Sequence, residues 1–213
     1  MAKVQHYNTP LQEGHFYHVY NRAVGGQTLF KTEENYRYFL RQYALYITPI
    51  AQTYAYCLLG NHFHFLIRVR EMALNAPVDT TLSNLGSLTK LHTPSPTTPS
   101  GQFKRLFQSY ALAFNKQQGR TGTLFETPFK RAHVDSQRYL TQLIYYIHAN
   151  PQHHGLIADF RDWPWSSYQT MVSNRSSRIE REEVLALFDD CNNFEAAHNH
   201  YREVHLDNGL LLD

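Results

Sequence analysis

Residues 53–69 read TYAYCLLGNHFHFLIRV. Two runs rich in aromatic and branched residues, 53–59 and 62–69, flank Gly60-Asn61, a dipeptide suited to a tight reversal, so the segment predicts a β-hairpin. In the second run, strand alternation places His62 and His64 on one face and Phe63, Phe65, Ile67 and Val69 on the other. One strand thus separates a face that can pack from a face that can do chemistry.

The flanking sequence supplies the rest of a fold. Residues 14–21, GHFYHVYN, alternate and read as a strand. Thr32-Glu33-Glu34-Asn35 opens a helix with Tyr36, Phe39, Leu40, Tyr43 and Ile47 at helical spacing, and Pro49 ends it. A second amphipathic helix carries Phe103, Leu106, Phe107, Tyr110 and Phe114 on one side and stops at Gly119. TGTLFETPFKRAHV (121–134) is expected to be extended. Asp135-Ser136 caps a third helix over 136–150, closed by Pro151. DWPWSSY (162–168) reads as a packed loop, and 179–213 as one or two short helices. Leu82, Leu85 and Leu88 suggest a further short helix inside a Pro/Ser/Thr-rich stretch, whose TPSPTTPSG (93–101) is expected to be mobile. This order of elements predicts an α+β fold, an antiparallel sheet with helices packed against it.

The composition fits that architecture. The chain has 213 residues, 42% hydrophobic and 18% charged, which suits one core with appendages and excludes a disordered chain. No run of about 18 apolar residues exists, so no membrane-spanning helix and no membrane partner are expected. The first residues lack a charged segment followed by an apolar one, so secretion is not expected. Two cysteines, Cys57 and Cys191, are too few for a disulfide framework or a four-thiolate zinc site. A reducing cytoplasm is the expected compartment.

The net charge of +2 hides an asymmetry. Residues 179–213 carry a net −7, and the first 178 residues +9. Lys104, Arg105, Lys116, Arg120, Lys130 and Arg131 crowd into 101–131 against Glu126 alone. Such a basic stripe suits either a polyanion partner or an ordinary solvated face. The 15 tyrosines and 13 phenylalanines belong mostly to a core, though rings on a basic surface can also stack unpaired bases.

Two residues of the third helix bear on the histidine pair. In 139-YLTQLIYYIHANP-151, Tyr139, Leu140, Leu143, Ile144 and Ile147 form one apolar arc at 100° per residue. Tyr146 falls at the arc's edge, Asn150 lies one turn on along the same side, and Tyr145 is expected to point off the buried face. A tyrosine at that margin can hold its ring and leave its oxygen at a cleft, which favours Tyr146 over Tyr145 as a reactive group. The residues alone leave two readings open: a packing tyrosine with two half-exposed strand histidines, or a phenol facing an incomplete metal site that needs a further ligand.

Taken together, His62-Phe63-His64 on a strand and Tyr146 through Asn150-Pro151 on a helix resemble the single-tyrosine HUH transposases, in which two histidines flank a hydrophobic residue. FYHVYNRA (16–23), YAYCLLGNHFHFLIRV (54–69), RTGTLFETPFKR (120–131), YYIHANPQHHGL (145–156) and DWPWSSY (162–168) resemble the REP-associated tyrosine transposase branch, related to insertion-sequence transposases. The resemblance spans about residues 14–170. It implies a ferredoxin-like (RNA-recognition-like) sheet, Mg²⁺ or Mn²⁺ held by His62 and His64 with Asn150 as third ligand, and Tyr146 as nucleophile. It further implies a 5′-phosphotyrosine intermediate and release of a 3′-OH. Single-stranded DNA and DNA hairpins formed by repetitive extragenic palindromes (REP) are the implied substrates, and a monomer the implied state. On this reading, residues 1–175 form the transposase domain and 176–213 an acidic helical extension. That extension and the Pro/Ser/Thr-rich segment near 92–101 depart from the family's compact form, as does Asn150 where many relatives carry Gln.

Charge and position nominate Arg22, Lys104, Arg105, Arg120, Lys130 and Arg131 as DNA contacts. Three other classes compete. One is a non-catalytic single-stranded nucleic-acid-binding module of the same fold. Another is a rolling-circle nickase or relaxase, whose large forms are disfavoured by the lack of a G-x-x-x-x-G-K-[ST] loop. The last is a metal hydrolase using water, disfavoured because no carboxylate neighbours the histidine pair in sequence.

Overall fold

The computed structural model describes residues 9–71, 98–173 and 175–203. Four strands, β1 (Phe16–Arg22), β2 (Ala51–Leu58), β3 (His62–Val69) and β4 (Lys130–Val134), form one sheet in the order β2-β3-β1-β4. Every pairing is antiparallel. With α1 (Glu33–Tyr46) between β1 and β2, and α2 (Pro99–Gln117) between β3 and β4, this is the ferredoxin-like α+β arrangement expected from the sequence. The proposed helix at Leu82, Leu85 and Leu88, and Pro77, Pro94 and Pro96, lie outside the described residues.

One face of the sheet packs on α1 and α2. Tyr17 and Val19 of β1 and Phe63, Phe65, Ile67 and Val69 of β3 bury there against Phe39, Tyr43, Phe103, Leu106 and Tyr110. The rings interlock: Tyr43 stacks on Phe65 with centroids 4.1 Å apart, and Phe39 meets Tyr110 edge-on at 5.1 Å. At its start, α1 has the Thr32 amide donating to Asn35 Oδ1 at 3.2 Å. The last residues expected to be mobile, 98–101, instead start α2: Thr98 Oγ1 accepts from the Gly101 amide at 3.2 Å and Pro99 occupies the first turn. There proline's missing N–H costs nothing. Gly119, at φ +58°, follows the end of that helix.

The opposite face is covered by α3 (Gln137–His153). A register shift between Thr53 and Ala55 lets β2 serve both faces. Thr53 bonds Tyr43 of α1 at 2.8 Å, whereas Ala55 and Cys57 bury with Leu143, Ile144 and Ile147 of α3. Without the extra residue, alternation would send Cys57 to the face of Thr53. Contrary to the expected stop, α3 runs through Pro151 to His153. Only one turn remains beyond Asn150, so the proline removes a single bond near an end that already leaves carbonyls unpaired.

The outer side of α3 is buried as well. The helices α4 (Tyr168–Val172), α5 (Arg181–Ala186) and α6 (Cys191–Glu203) follow among the described residues. From them Tyr168, Val184 and Phe194 join the α3 cluster and the buried His198 packs on Tyr145, so the acidic segment contributes side chains to this core. His198 Nδ1 donates to the Phe194 carbonyl at 2.7 Å. A carbonyl only accepts, so Nε2 of the neutral His198 ring must accept in turn from His148 Nδ1, 3.0 Å away. His148 Nε2 then accepts from the Ser167 hydroxyl at 2.8 Å, and Ser167 Oγ accepts from the Tyr56 amide at 2.9 Å. One buried relay thus ties α6, α3, the 162–168 loop and β2 together. That loop also lines the edge of β2: the Leu58 amide donates to the Trp165 carbonyl and the Ser167 amide to the Tyr56 carbonyl, both at 2.9 Å. It is packed as expected, with Trp163 Nε1 donating to the Leu58 carbonyl at 3.0 Å.

Candidate active site

The register of the two central strands assembles a polar strip on the α3 face. Tyr20 lies opposite His64, and Arg22 opposite His62. Tyr20 also pairs with Lys130 of β4. Facing residues of an antiparallel pair share a side of the sheet, so Tyr20, Arg22, His62, His64 and Lys130 converge, and they line one small pocket. Toward the other end of the same face the residues turn apolar, with Leu66 and Val134 under α3. The helix mirrors this gradient: Leu140, Leu143 and Ile147 pack, whereas Tyr146, Asn150 and His154, spaced four apart, lie over the polar end.

Tyr146 reaches the histidine pair within one chain. Its ring meets His64 edge-on with centroids 5.6 Å apart, and His18 at 6.2 Å. Both His62 and His64 are buried rather than half-exposed, at 5% and 1%. Tyr145, expected to point off the buried face, is as buried as Tyr146. It packs on Phe160 and His198, because the C-terminal helices cover the side of α3 that an isolated amphipathic helix would leave to solvent. The Tyr146 hydroxyl is also buried instead of standing open at a cleft. Asn150 is buried one turn beyond it.

The hydrogen bonds set the histidines' protons. His62 Nδ1 lies 2.7 Å from Asn61 Oδ1, which can only accept, so Nδ1 carries a proton and Nε2 is the ring nitrogen left to offer a lone pair to a cation. His64 Nδ1 lies 2.9 Å from Nε2 of His18, a residue of β1 that is fully buried on the same face. Burial pushes the His18 pKa down to about 3 and holds His64 well below the usual imidazole range; for His64 the neighbouring His18, His62, His154 and Arg22 act in the same direction. Both rings are therefore neutral at pH 7.

Several polar atoms in this cluster are buried without a hydrogen-bond partner among the described residues: His18 Nδ1, His64 Nε2 and both side-chain polar atoms of Asn150. Leaving such an atom unsatisfied costs about 1–3 kcal/mol, so native proteins normally supply a ligand, ion or water there. Neutral imidazole nitrogens and a carboxamide oxygen are donors a divalent cation accepts. No group of three or more His, Cys, Asp or Glu among the described residues is placed to hold a metal ion, so a cation here would draw on the Asn150 carboxamide and on oxygens from outside the chain.

The six cations named from sequence divide between the two faces. Arg22 and Lys130 join the histidines, and Lys130 Nζ sits 5.7 Å over the Tyr20 ring. Arg131 points to the other side of β4, where its Nε donates to the Thr9 carbonyl at 2.5 Å and its guanidinium covers Phe129. Lys104 and Arg105 are exposed on α2, and Arg120 follows that helix, donating to the Thr123 carbonyl at 3.3 Å. Sequence reasoning missed His18 and Asn61. Asn61 was legible as the neighbour of His62 in the turn; His18 needed the β1–β3 register, which no local pattern supplies.

A Haemophilus influenzae protein provisionally named a REP-associated tyrosine transposase is 27% identical over 123 residues, 57% of this chain. The match spans 61% of that relative's length. A REP-associated tyrosine transposase solved bound to a REP hairpin has the same fold, with a TM-score of 0.59 and 14% identity over 82% of this chain and 87% of the other. No protein-family model matches the chain.

Proposed function

We propose that the chain is a REP-associated single-tyrosine transposase, which cleaves and rejoins single-stranded or hairpin DNA through a 5′-phosphotyrosine. The observation that carries this reading is the placement of the Tyr146 ring against His64, with Asn150 one turn further along the same helix. The named relative and the hairpin-bound structure support the substrate class.

His62 Nε2, His64 Nε2 and the Asn150 carboxamide oxygen would hold Mg²⁺ or Mn²⁺, with the remaining positions open to water and phosphate. Such an ion supplies charge neutralisation on the non-bridging phosphate oxygens. The chain's own groups do the rest. The Tyr146 hydroxyl loses its proton as its oxygen bonds to phosphorus; the bond from phosphorus to the 3′ oxygen breaks, and that oxygen leaves to become a 3′-OH. The covalent link retains the phosphoester, so rejoining requires no nucleotide cofactor. Arg22 and Lys130, beside the histidines, would hold the strand's phosphates and favour the phenolate. Among the described side chains every Phe, Tyr and Trp is buried or half-buried, so those rings serve the core and not a base-stacking surface.

The decisive experiment is a denaturing gel of protein and labelled single-stranded or hairpin oligonucleotide with Mg²⁺ or Mn²⁺. A covalent adduct from the wild type, lost in Tyr146→Phe, is the expected result. One observation favours a second reading: the buried Tyr146 hydroxyl would suit a non-catalytic binding module in which that tyrosine only packs. Such a module would bind the same oligonucleotides and yield no adduct.

A further inference from the structure

We propose that His18 is a positioning residue for the candidate cation site: it holds His64 in the tautomer that presents a lone pair at Nε2. The inference rests on the metal-dependent reading above and adds a residue to it.

His18 and His64 approach through one nitrogen each, His18 Nε2 and His64 Nδ1, at 2.9 Å. Between two neutral imidazoles such a contact holds one proton, and one ring must accept. With the proton on His18, His64 Nδ1 accepts, and the remaining proton of the His64 ring occupies Nε2, the atom that faces the site. With the proton on His64 Nδ1, Nε2 keeps its lone pair. A cation on Nε2 is compatible only with the second arrangement, so His18 must be the acceptor. His62 has the parallel arrangement, its Nδ1 proton held by Asn61 Oδ1.

The surroundings make His18 a rigid acceptor. It is fully buried in the centre of the sheet, directly opposite Leu66. The Tyr20 ring lies against both imidazoles, with centroids 4.6 Å from His18 and 5.7 Å from His64, and near-parallel planes. The His18 and His64 planes differ by 22°, so the shared bond fixes the orientation of the His64 ring as well as its proton. Partners of this kind on a ligand imidazole typically change metal affinity by 10–100-fold when removed.

The test is Mn²⁺ affinity, read by titration of the free-ion electron paramagnetic resonance signal on the full chain without DNA. His18→Phe, which fills the space but cannot accept, should weaken Mn²⁺ binding by about 10–100-fold. His18→Gln, whose side-chain oxygen can take the place of Nε2, should recover most of that loss. Independently of any variant, long-range ¹H–¹⁵N spectra of the Mg²⁺-loaded wild type should show the His64 proton on Nδ1. Unchanged affinity in His18→Phe, or equal weakening by Phe and Gln, would each overturn the assignment while leaving the metal reading intact; a His64 proton on Nε2 would overturn the assignment and remove His64 from the metal ligands as well. Failure of the wild type to bind Mn²⁺ at all would bring down that reading and this inference with it.

Discussion

Tyr146 of α3 meets His64 of β3 edge-on, with ring centroids 5.6 Å apart, although 82 positions separate them in sequence. The two meet inside one chain. Tyr146→Phe should therefore remove the covalent DNA adduct without unfolding the protein, since only a hydroxyl is lost. Tyr145→Phe should retain the adduct, because Tyr145 faces Phe160 and His198 instead. Gel assays of both variants, beside thermal melts, check this; an adduct that survives in Tyr146→Phe and vanishes in Tyr145→Phe would reverse the assignment.

Chelation of divalent metal should stop cleavage and leave hairpin binding largely in place, because Arg22 and Lys130 do not depend on the ion. His64→Ala should show the same separation at saturating DNA, with at least a hundredfold loss of adduct rate. Rates with and without chelator, set against fluorescence-anisotropy titrations of a labelled hairpin, measure the two effects; cleavage undiminished in chelator would exclude the cation.

Lys130→Ala and Arg22→Ala should each weaken DNA binding and reduce the slope of log affinity against log salt by about 1. Arg131→Ala should change that slope less, because its guanidinium is already engaged by the Thr9 carbonyl and the Phe129 ring on the other side of β4. Titrations at several salt concentrations decide it, and equal slopes for wild type and Lys130→Ala would remove Lys130 from the interface.

Acid should destabilise the C-terminal packing. Burial pulls the His198 pKa from 6.5 to about 4, against a smaller opposing effect of the Phe194 carbonyl. The unfolded chain therefore takes up this proton near pH 6.5, whereas the folded chain resists it down to about 4. The contribution is complete above pH 6.5 and is lost as pH falls through that window, by up to about 3 kcal/mol. His148, held low by burial and by His198, acts in the same direction. Melting temperatures should fall between pH 7 and 5, and His198→Phe should flatten the dependence; a wild-type melting temperature unchanged over that interval would contradict the relay's neutral state.

Much of this architecture was legible in linear order. The hairpin around Gly60-Asn61, the helix from Thr32 and the ring-rich second helix form where local patterning places them, because turn residues and apolar spacing act over a few positions. Pro151 misled, since its cost depends on how much helix follows it. The 98–101 segment misled too: composition suggested a loose stretch, yet Thr98 and Pro99 are well suited to begin a helix. Tyr145 was misjudged because the elements that bury it, Phe160 and His198, lie far downstream.

Alternation along β3 set His62 beside His64 on one face, and the four-residue spacing along α3 did the same for Tyr146 and Asn150, since both follow from backbone geometry repeated along one element; their roles came only from the family resemblance. Which face each element turned to another was decided only in three dimensions. Strand register placed His18 beside His64 and Arg22 opposite His62, the shift between Thr53 and Ala55 turned β2 toward α3, and the C-terminal helices enclosed α3 from outside. Those outcomes come from burying apolar surface between segments distant in sequence, a cooperative energy that no single stretch of residues carries.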